Sequence, residues 1–466
     1  MFQKSHKIII LSILSVIFAV LMVAGVFLQA YFADVNVIVS AEDFAIVIDS
    51  QGNNYSYIPY GINAPKTKGD VEVITVNTGN ASVIIETPDR VNVSNNNGPA
   101  RLICVNGEGT KYVEGLYNGN CEIKEYNDLR ISSKQESYEI TLAEVDGLFE
   151  MDYEDSWLLL SLDNDKSLLR TYAGIELSKM MGNNYSPDIR FVEVFVNGMY
   201  SGTYILCEKV KMAYGRIAID SAKNGIMVGE GVTGGYLMYT DTSVNVKSEL
   251  TSPTQGKNFY FTMSNINILP GATERSRIAF RQTKNLLDVH FKYIRKYMTD
   301  AENALFSENF KAGSGGFRDY FNVTGTMDWY IIEELFKNPN DPTLTSTYMY
   351  KERNGKITIG PVWYFGFSSG NSDYKAATEI ENWYVRNNVW ISRMFEDEGF
   401  EAEFKARWQS VSNIVSEKLF EIIDSKAEEL IACAALNGMS KEEYKAEVES
   451  LKLWLNERIS WINNNI

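Results

Sequence analysis

Two of the Asn-Gly dipeptides in this sequence, each set between long runs rich in β-branched and aromatic residues, constrain the fold more than any other feature. Asn197-Gly198 separates IRFVEVFV from MYSGTYILCEKV, and Asn354-Gly355 separates STYMYKER from KITIG. Asn-Gly favours the tight turn of an antiparallel hairpin, because both residues readily adopt positive φ. The sequence therefore predicts two hairpins, and the second leads directly into GPVWYFGFSSGN, residues 360–371.

The apolar pattern around these hairpins changes along the chain. Before residue 150, short β-type runs such as ASVIIET and ARLICV alternate with turns rich in Asn and Gly. After it, DNDKSLLRTYAGIELSKMMG and MDWYIIEELFK have helical spacing, and Ser440 with Glu443 predicts a capping box in a helical C-terminal part over about 400–463. This order predicts an α+β protein with a small β-rich N-terminal region.

The N-terminus predicts a membrane helix. Residues 8–33 contain no charged side chain, and roughly 21 apolar residues span the ~30 Å hydrocarbon core of a bilayer. Lys4 and Lys7 precede this run and Asp34 follows it, which places the N-terminus in the cytoplasm by the positive-inside rule.

We therefore expect three parts. They are a signal anchor over 1–33, a β-rich extracytoplasmic region over 34–118 and a larger domain over 119–466. The expected localisation is a single-pass membrane protein with the bulk of the chain extracytoplasmic, and a cleaved signal peptide is the alternative.

Charge and histidine content exclude several classes of function. The chain carries 60 Asp and Glu against 44 Lys and Arg, a formal net charge of −16, which disfavours binding to nucleic acid. It has two histidines, His6 and His290, so a Ser-His-Asp triad, a His₃ zinc site and an HExxH helix are excluded. Any chemistry must rest on carboxylates, lysines or a bound ion.

The cysteines are too widely spaced for a zinc ribbon or a thioredoxin-like motif. Cys104 and Cys121 flank a predicted hairpin. A disulfide between them and a pair of small buried hydrophobic side chains are both open interpretations.

Several segments resemble the family of spore coat protein H, the CotH kinases. They are SWLLLSLDNDKSLLRTYAGIELSKMMG, VEVFVNGMYSGTYILCEKV, TGGYLMYTD and YIIEELFKNPNDPTLTSTYMYKERNGKITIGPVW, and together the resemblance covers about 120 to about 410. It implies an atypical protein-kinase-like fold. Active members transfer phosphate from ATP to Ser or Thr of coat proteins, a reaction that needs cations around the phosphates and carboxylates that hold Mg²⁺.

The phosphate-binding part of the family pattern is altered. The family has Ile-Lys-Gly-Arg-Gly-Asn-Ser-Thr-Trp and then a strand with two lysines, whereas this chain reads IKEYNDLRI and QESYEI. The residues that replace Gly-Arg-Gly and the two lysines are Glu125, Tyr126, Asn127, Gln135 and Glu136. A glutamate facing phosphate would repel ATP, although Arg130 or Lys134 can take over part of the cationic role.

The metal-binding part is altered as well. The family has Gly-Pro-Val-Trp-Asp-Phe-Asp where this chain reads GPVWYFG, so Tyr364 and Gly366 replace the two aspartates. A phenol with a pKa of ~10 and a glycine supply no anion for Mg²⁺ at neutral pH. Tyr239 also stands where the family usually has an acid, although Asp241 is retained.

Other parts of the pattern are kept. Asp341 matches the catalytic-loop aspartate and would be the base of an active enzyme. The resemblance also retains Asp165, Arg170, Glu208, Lys209 and Glu334. Among these, Asp165 is equally suited to cap its helix, and Arg170 to pair with Glu334. The resemblance implies that Arg130, Lys134, Glu208 and Asp241 are the residues to consider for cofactor binding.

Three hypotheses follow from this pattern. The first is a membrane-anchored pseudokinase that needs no cofactor and binds a protein partner of the envelope or spore coat. The second is an active Ser/Thr kinase that uses ATP and Mg²⁺, with Asp341 as base and Asp241 or Asp373 replacing the lost metal ligands. The third is a surface adhesin in which the region 34–150 is the working part.

Overall fold

The computed structural model describes residues 45–48, 54–57, 69–72, 76, 78–94, 97–106, 112–128, 135–183, 185–219, 229–240, 249–251, 258–263, 274–339 and 347–466. No helix within these stretches has the length and apolar character needed to cross a membrane. The predicted signal anchor, residues 1–33, lies outside them and stays a prediction.

Fifteen strands form three sheets in the described part of the chain. The strands are β1 (Ala45–Ile48), β2 (Asn54–Tyr57), β3 (Gly69–Glu72), β4 (Ala81–Glu86), β5 (Gly98–Val105), β6 (Tyr112–Glu125), β7 (Tyr138–Asp146), β8 (Glu154–Ser161), β9 (Ile189–Val196), β10 (Met199–Glu208), β11 (Tyr236–Thr240), β12 (Glu249–Thr251), β13 (Asn258–Met263), β14 (Tyr348–Lys351) and β15 (Ile357–Ile359).

The largest sheet closes into a barrel. Its strands follow the order β6-β5-β4-β9-β10-β8-β7, and β7 pairs in turn with β6, while β3 adds to the other end of β6. Closure leaves no unpaired edge among the barrel strands. The predicted boundary between residues 118 and 119 falls inside β6, so strands from both sides of it share one barrel.

Alternation of side chains along the barrel strands builds two cores. Trp157 and Leu159 of β8 and Tyr204 of β10 belong to the cluster inside the barrel. Leu158 and Leu160 of β8 belong to the second cluster, together with residues of the helices. The period of two therefore packs the helices against the outside of the barrel.

The cysteine pair lies inside the barrel with both thiols free. Cys104 is opposite Tyr117 and Cys121 is opposite Ala100, so the two cysteines sit on different rungs of the β5–β6 ladder. Both are fully buried hydrophobic side chains. The disulfide interpretation is therefore wrong for this structure, because the strand register keeps the two residues apart.

Both predicted hairpins are confirmed, with different turns. Asn197 and Gly198 both have positive φ and form a two-residue loop between β9 and β10. The second hairpin pairs Lys351 with Ile357, so its loop is five residues long, and Asn354 has positive φ there. β14 and β15 extend β11, β12 and β13 into an antiparallel sheet.

Nine α-helices lie between and after these strands in the described sequence. They are α1 (Arg170–Met180), α2 (Glu274–Phe306), α3 (Val323–Phe336), α4 (Lys375–Thr378), α5 (Val389–Met394), α6 (Glu398–Asn413), α7 (Leu419–Glu429), α8 (Ile431–Leu436) and α9 (Lys441–Asn465). The capping box of Ser440 and Glu443 opens α9 as predicted. The α+β class and the helical C-terminal part are therefore confirmed.

Two buried ion pairs differ from the expected pairing. Arg170 does not pair with Glu334, because its Nη1 lies 2.5 Å from Asp165 at the start of α1. Glu334 instead accepts from Arg458 of α9 at 2.7 Å, and both side chains are buried. Asp165 also accepts from the Arg170 backbone amide at 2.9 Å, so it satisfies the first amide of α1, although the N-cap residue itself is Leu169.

Candidate functional site

The loop after β15 lies between the barrel and the helices. Trp363, Tyr364 and Phe365 are each no more than 2% exposed, which is unusual for a connecting segment. The Phe365 amide donates to the Thr171 hydroxyl of α1 at 3.1 Å. The segment that resembles the metal loop of the family is therefore part of the core.

The Tyr364 side chain is held by neutral partners. Its hydroxyl lies 2.9 Å from Nδ2 and 3.2 Å from Oδ1 of Asn164. Asn338 donates to the Tyr364 carbonyl at 2.9 Å. Burial raises the pKa of the Tyr364 phenol, so the group is neutral at physiological pH and offers no anionic oxygen to a metal ion.

Gly366 lies against the Tyr364 ring. A Cβ placed on Gly366 would come within 2.7 Å of Tyr364 Cζ and closer still to its hydroxyl. No side chain fits at position 366 while the tyrosine occupies its observed rotamer. The two replacements in GPVWYFG are therefore coupled, because the phenol at the first position fills the space beside the second.

Three tyrosines meet around Trp363, and two of them, Tyr126 and Tyr364, stand at altered positions of the family pattern. Tyr126 and Tyr348 contact Trp363 with centroid separations of 6.4 Å and 6.1 Å, and Tyr364 lies 5.9 Å from it. Tyr239 packs on Tyr348 at 4.5 Å. We call these five residues, Tyr126, Tyr239, Tyr348, Trp363 and Tyr364, the aromatic cluster.

The aromatic cluster joins the barrel to the five-stranded antiparallel sheet of β11 to β15. Tyr126 follows β6, whereas Tyr239 and Tyr348 lie in β11 and β14. The Tyr239 hydroxyl donates to the Asp128 carboxylate, and burial raises the pKa values of Tyr126 and Tyr348. The aromatic cluster therefore consists of packed rings, with Asp128 as an acid in contact with it.

Glu208 serves contacts within the protein. It is 2% exposed, and its carboxylate accepts from the Tyr185 hydroxyl at 3.1 Å and from the Asp188 amide at 3.0 Å. Arg216 lies 3.9 Å away, and burial raises the Glu208 pKa. These contacts occupy the carboxylate, and its assignment to cofactor binding stays a prediction.

The segment that matches the family's strand with two lysines has partners within the protein. Gln135 accepts from the Ser161 hydroxyl at 3.0 Å, and Glu136 accepts from the Tyr138 hydroxyl at 3.1 Å. Neither side chain carries a positive charge, and Glu136 is exposed.

The remaining predicted site residues lie outside the described part of the chain. They are Arg130, Lys134, Asp241 and Asp341. Asp373, the proposed substitute ligand, is described and exposed. No group of three or more His, Cys, Asp or Glu in the described residues has an arrangement that would hold a metal ion.

Sequence reasoning missed the residues that hold the loop in place. Asn164 is 200 positions from Tyr364, and Asn338 is 26 from it, so no local spacing connects them. The one local signal is that Asn164 lies in the polar turn LDNDKS between β8 and α1. No sequence pattern indicated a role for Asp128, because its partner Tyr239 lies 111 positions later in the chain.

Comparison with known proteins is consistent with this architecture. The family model described as CotH kinase protein matches residues 119–462, which is most of the chain. No curated protein matches. The matched span runs from β6 through α9 and includes GPVWYFG and the surrounding aromatic cluster. The chain therefore belongs to the CotH kinase protein family.

Proposed function

We propose that this chain is a pseudokinase of the CotH family, with a kinase-like fold that no longer uses Mg²⁺ and ATP. The order of elements supports a kinase-like arrangement. Helix α3 is followed by the segment that contains Asp341, then by the β14–β15 hairpin and then by GPVWYFG. Protein kinases place their catalytic loop and metal-binding loop in the same order.

The observation that carries the proposal is the packing of Tyr364 against Gly366. A magnesium site of this type needs one or two carboxylates with room for water and phosphate oxygens. Here a neutral phenol, bonded to Asn164, fills the space next to a glycine that has no room for a side chain. Replacing Gly366 alone would not restore a carboxylate there, because the Tyr364 ring blocks position 366.

The segment that matches the phosphate-binding part of the family pattern supports the same conclusion. Tyr126 stands where the family has an arginine and packs on Trp363 instead of reaching into solvent. Asp128 adds a carboxylate near the aromatic cluster, where ATP would need a cation. At the position of the family arginine the described structure therefore has a packed ring, with a carboxylate beside it.

We propose that the retained fold acts as a scaffold. The charge-free run over residues 8–33 would anchor the chain in the membrane with the barrel and helices outside the cytoplasm. The partner would be a protein of the envelope or spore coat, bound through the kinase-like surface. Support for this part is the family membership together with the N-terminal sequence.

The test is nucleotide binding and phosphoryl transfer by the full chain in detergent. We expect no Mg²⁺-dependent rise of the unfolding temperature with millimolar ATP, and no transfer of γ-phosphate to the chain or to a generic acceptor protein. Asp341→Ala should then behave like the wild type in both assays.

The opposite result would identify an active kinase. Transfer that needs Mg²⁺ and is abolished by Asp341→Ala would overturn the pseudokinase proposal. Transfer that survives Asp341→Ala would point to a contaminating kinase, and a preparation with a second purification tag would settle that point.

A further inference from the structure

The chain that follows GPVWYFG is held to the helices through its backbone. The relevant stretch runs over residues 376–386, and we call it the clamped segment. It contains only the end of α4 and the start of a short 3₁₀ turn at Val385–Asn387. A stretch with so little regular structure satisfies few of its own backbone groups, so these groups need partners elsewhere. The helices α3 and α9 supply these partners.

Lys337, the residue that ends α3, binds carbonyl groups of the clamped segment. Its Nζ donates to the carbonyl oxygens of Ala376 at 3.3 Å, Glu379 at 2.7 Å and Glu381 at 2.5 Å. The residue is buried. An ammonium group has three N–H donors, and these carbonyls can accept all of them. One buried side chain therefore fixes the backbone at several points.

The C-terminal helix α9 binds the same stretch from a second direction. Nη1 of Arg458 donates to the carbonyls of Ile380 at 2.6 Å and Asn382 at 3.0 Å. Trp454 donates from Nε1 to the Thr378 carbonyl at 3.0 Å. Both side chains are buried and lie four positions apart, so they occupy one face of α9.

Glu334 of α3 connects α9 to the far end of the clamped segment. Its Oε1 accepts from the Tyr384 amide and its Oε2 from the Arg386 amide, both at 2.8 Å. Oε1 also accepts from Nη2 of Arg458 at 2.7 Å. Hydrogen bonds to an ionised group are stronger than those between neutral groups. Arg458 therefore holds the clamped segment both directly and through Glu334.

The clamped segment also contacts the chain that leads to Asp341. The Tyr384 hydroxyl donates to the Pro339 carbonyl at 3.1 Å, and the Lys337 ammonium lies 6.0 Å from the Tyr384 ring centroid. Pro339 precedes Asp341 by two positions in the sequence. Order in the clamped segment therefore helps to fix the start of the stretch that matches the catalytic loop.

Protein kinases use the corresponding stretch as a switch. Their activation loop follows the metal-binding loop, and phosphorylation orders it by creating new pairs between the phosphate and arginine. In this chain Arg458 is already paired with the carboxylate of Glu334. The backbone of the clamped segment is also bound already, so an added phosphate is not needed to order it.

We propose that α9 is a latch that, together with α3, keeps the clamped segment in one conformation without phosphorylation. Arg458 is the central positioning residue, because it binds both the segment and Glu334. This inference does not depend on the proposed loss of Mg²⁺ and ATP use. An active enzyme would hold the segment through the same contacts.

The test is hydrogen–deuterium exchange of the full chain in detergent, after its intact mass has shown that it carries no phosphate. Peptides that contain Tyr384 and Arg386 report directly, because Glu334 accepts from both amides. We expect these peptides of the wild type to exchange as slowly as those of α3. Arg458→Met should speed their exchange about 10-fold or more, while α3 changes less.

Two further variants separate the latch from general stability. Arg458→Lys keeps the buried charge beside Glu334 but lacks the fork that also reaches the carbonyls, so it should fold and still speed exchange of the clamped segment. Val448→Ala is the matched control, because it removes buried apolar atoms from α9 more than two turns before Arg458. It should change exchange of the clamped segment no more than that of α3.

Three results would overturn the proposal. The first is rapid exchange of the clamped segment in the unphosphorylated wild type. The second is unchanged exchange of the segment in Arg458→Lys and in Arg458→Met, and Arg458→Lys decides alone if Arg458→Met does not fold by circular dichroism. The third is that Val448→Ala speeds exchange of the segment as much as the Arg458 variants do, which would assign the effect to global stability.

Discussion

The contact between Tyr364 and Gly366 predicts a measurable coupling between these two positions. A Cβ at position 366 would meet Tyr364 Cζ at 2.7 Å and Cε1 at 3.0 Å, and both residues lie in a packed segment. Overpacking of this kind typically costs ~1–3 kcal/mol. We therefore expect Gly366→Ala to lower the free energy of unfolding by about 2 kcal/mol.

The same substitution should be tolerated once the ring is absent. Tyr364→Leu removes Cζ, Cε1 and the hydroxyl, which are the atoms that the new Cβ would meet. In the Tyr364→Leu background we expect Gly366→Ala to cost less than ~0.5 kcal/mol, which gives a coupling energy of roughly 1.5 kcal/mol in a double-mutant cycle. Tyr364→Leu itself is destabilising, because it leaves the Asn164 amide without its partner.

The measurement is denaturant unfolding of the four proteins under identical conditions. Gly98→Ala is the matched control, because a Cβ there meets no atom within 4 Å, and its effect should stay within ~0.5 kcal/mol. A Gly366→Ala cost that is equal in both backgrounds would refute the reasoning. A neutral Gly366→Ala in the wild type would show that the ring does not occupy the position described.

Three further predictions concern buried charged and thiol groups. Burial raises the pKa of Glu86 from 4.5 to about 8. Between pH 4.5 and 8, Glu86 is therefore ionised in the unfolded chain and protonated in the folded one. Stability should therefore fall as the pH rises from about 4.5 to 8, by at most roughly 5 kcal/mol, and Glu86→Gln should flatten this part of a pH series of denaturation curves. In the same assay, Glu334→Gln should lower the free energy of unfolding by ~3–5 kcal/mol, because it leaves Arg458 charged and buried. A decrease of less than ~1 kcal/mol would contradict the ion pair. Burial raises the pKa of Cys104, and that of Cys121 to about 12, so a thiol reagent should label both only after unfolding, whereas rapid labelling of the native chain would show that the barrel interior is accessible.

Local patterns predicted the secondary structure well. The Asn-Gly turns predicted two hairpins, and helical periodicity together with a capping box predicted α1, α3 and α9. These features depend on residues close in sequence, whose φ/ψ preferences and hydrogen bonds operate within a few positions. The length of the second hairpin loop was not predictable from its Asn-Gly pair, because the pairing of Lys351 with Ile357 also depends on the neighbouring strand β11.

The barrel was beyond the reach of local patterns. Strand β4 pairs in parallel with β9, more than a hundred residues later, and β6 closes the ring with β7. Pairing between strands that lie far apart in the sequence leaves no periodic pattern in either strand. The sequence therefore predicted that the strands before residue 118 form a separate region.

The sequence by itself determined which groups are present at the candidate site: a phenol and a glycine in place of two aspartates, and a tyrosine in place of an arginine. Side-chain chemistry follows from residue identity alone, so the absence of these particular carboxylates needed no structure. The tertiary structure decided that Tyr364 fills the space beside Gly366 and that Asn164 forms a hydrogen bond with the Tyr364 hydroxyl. It also decided that Tyr126 and Tyr364 both pack against Trp363. These contacts join residues from the barrel, the second sheet and the loop between them, and only the packing of the whole chain brings such distant segments within reach.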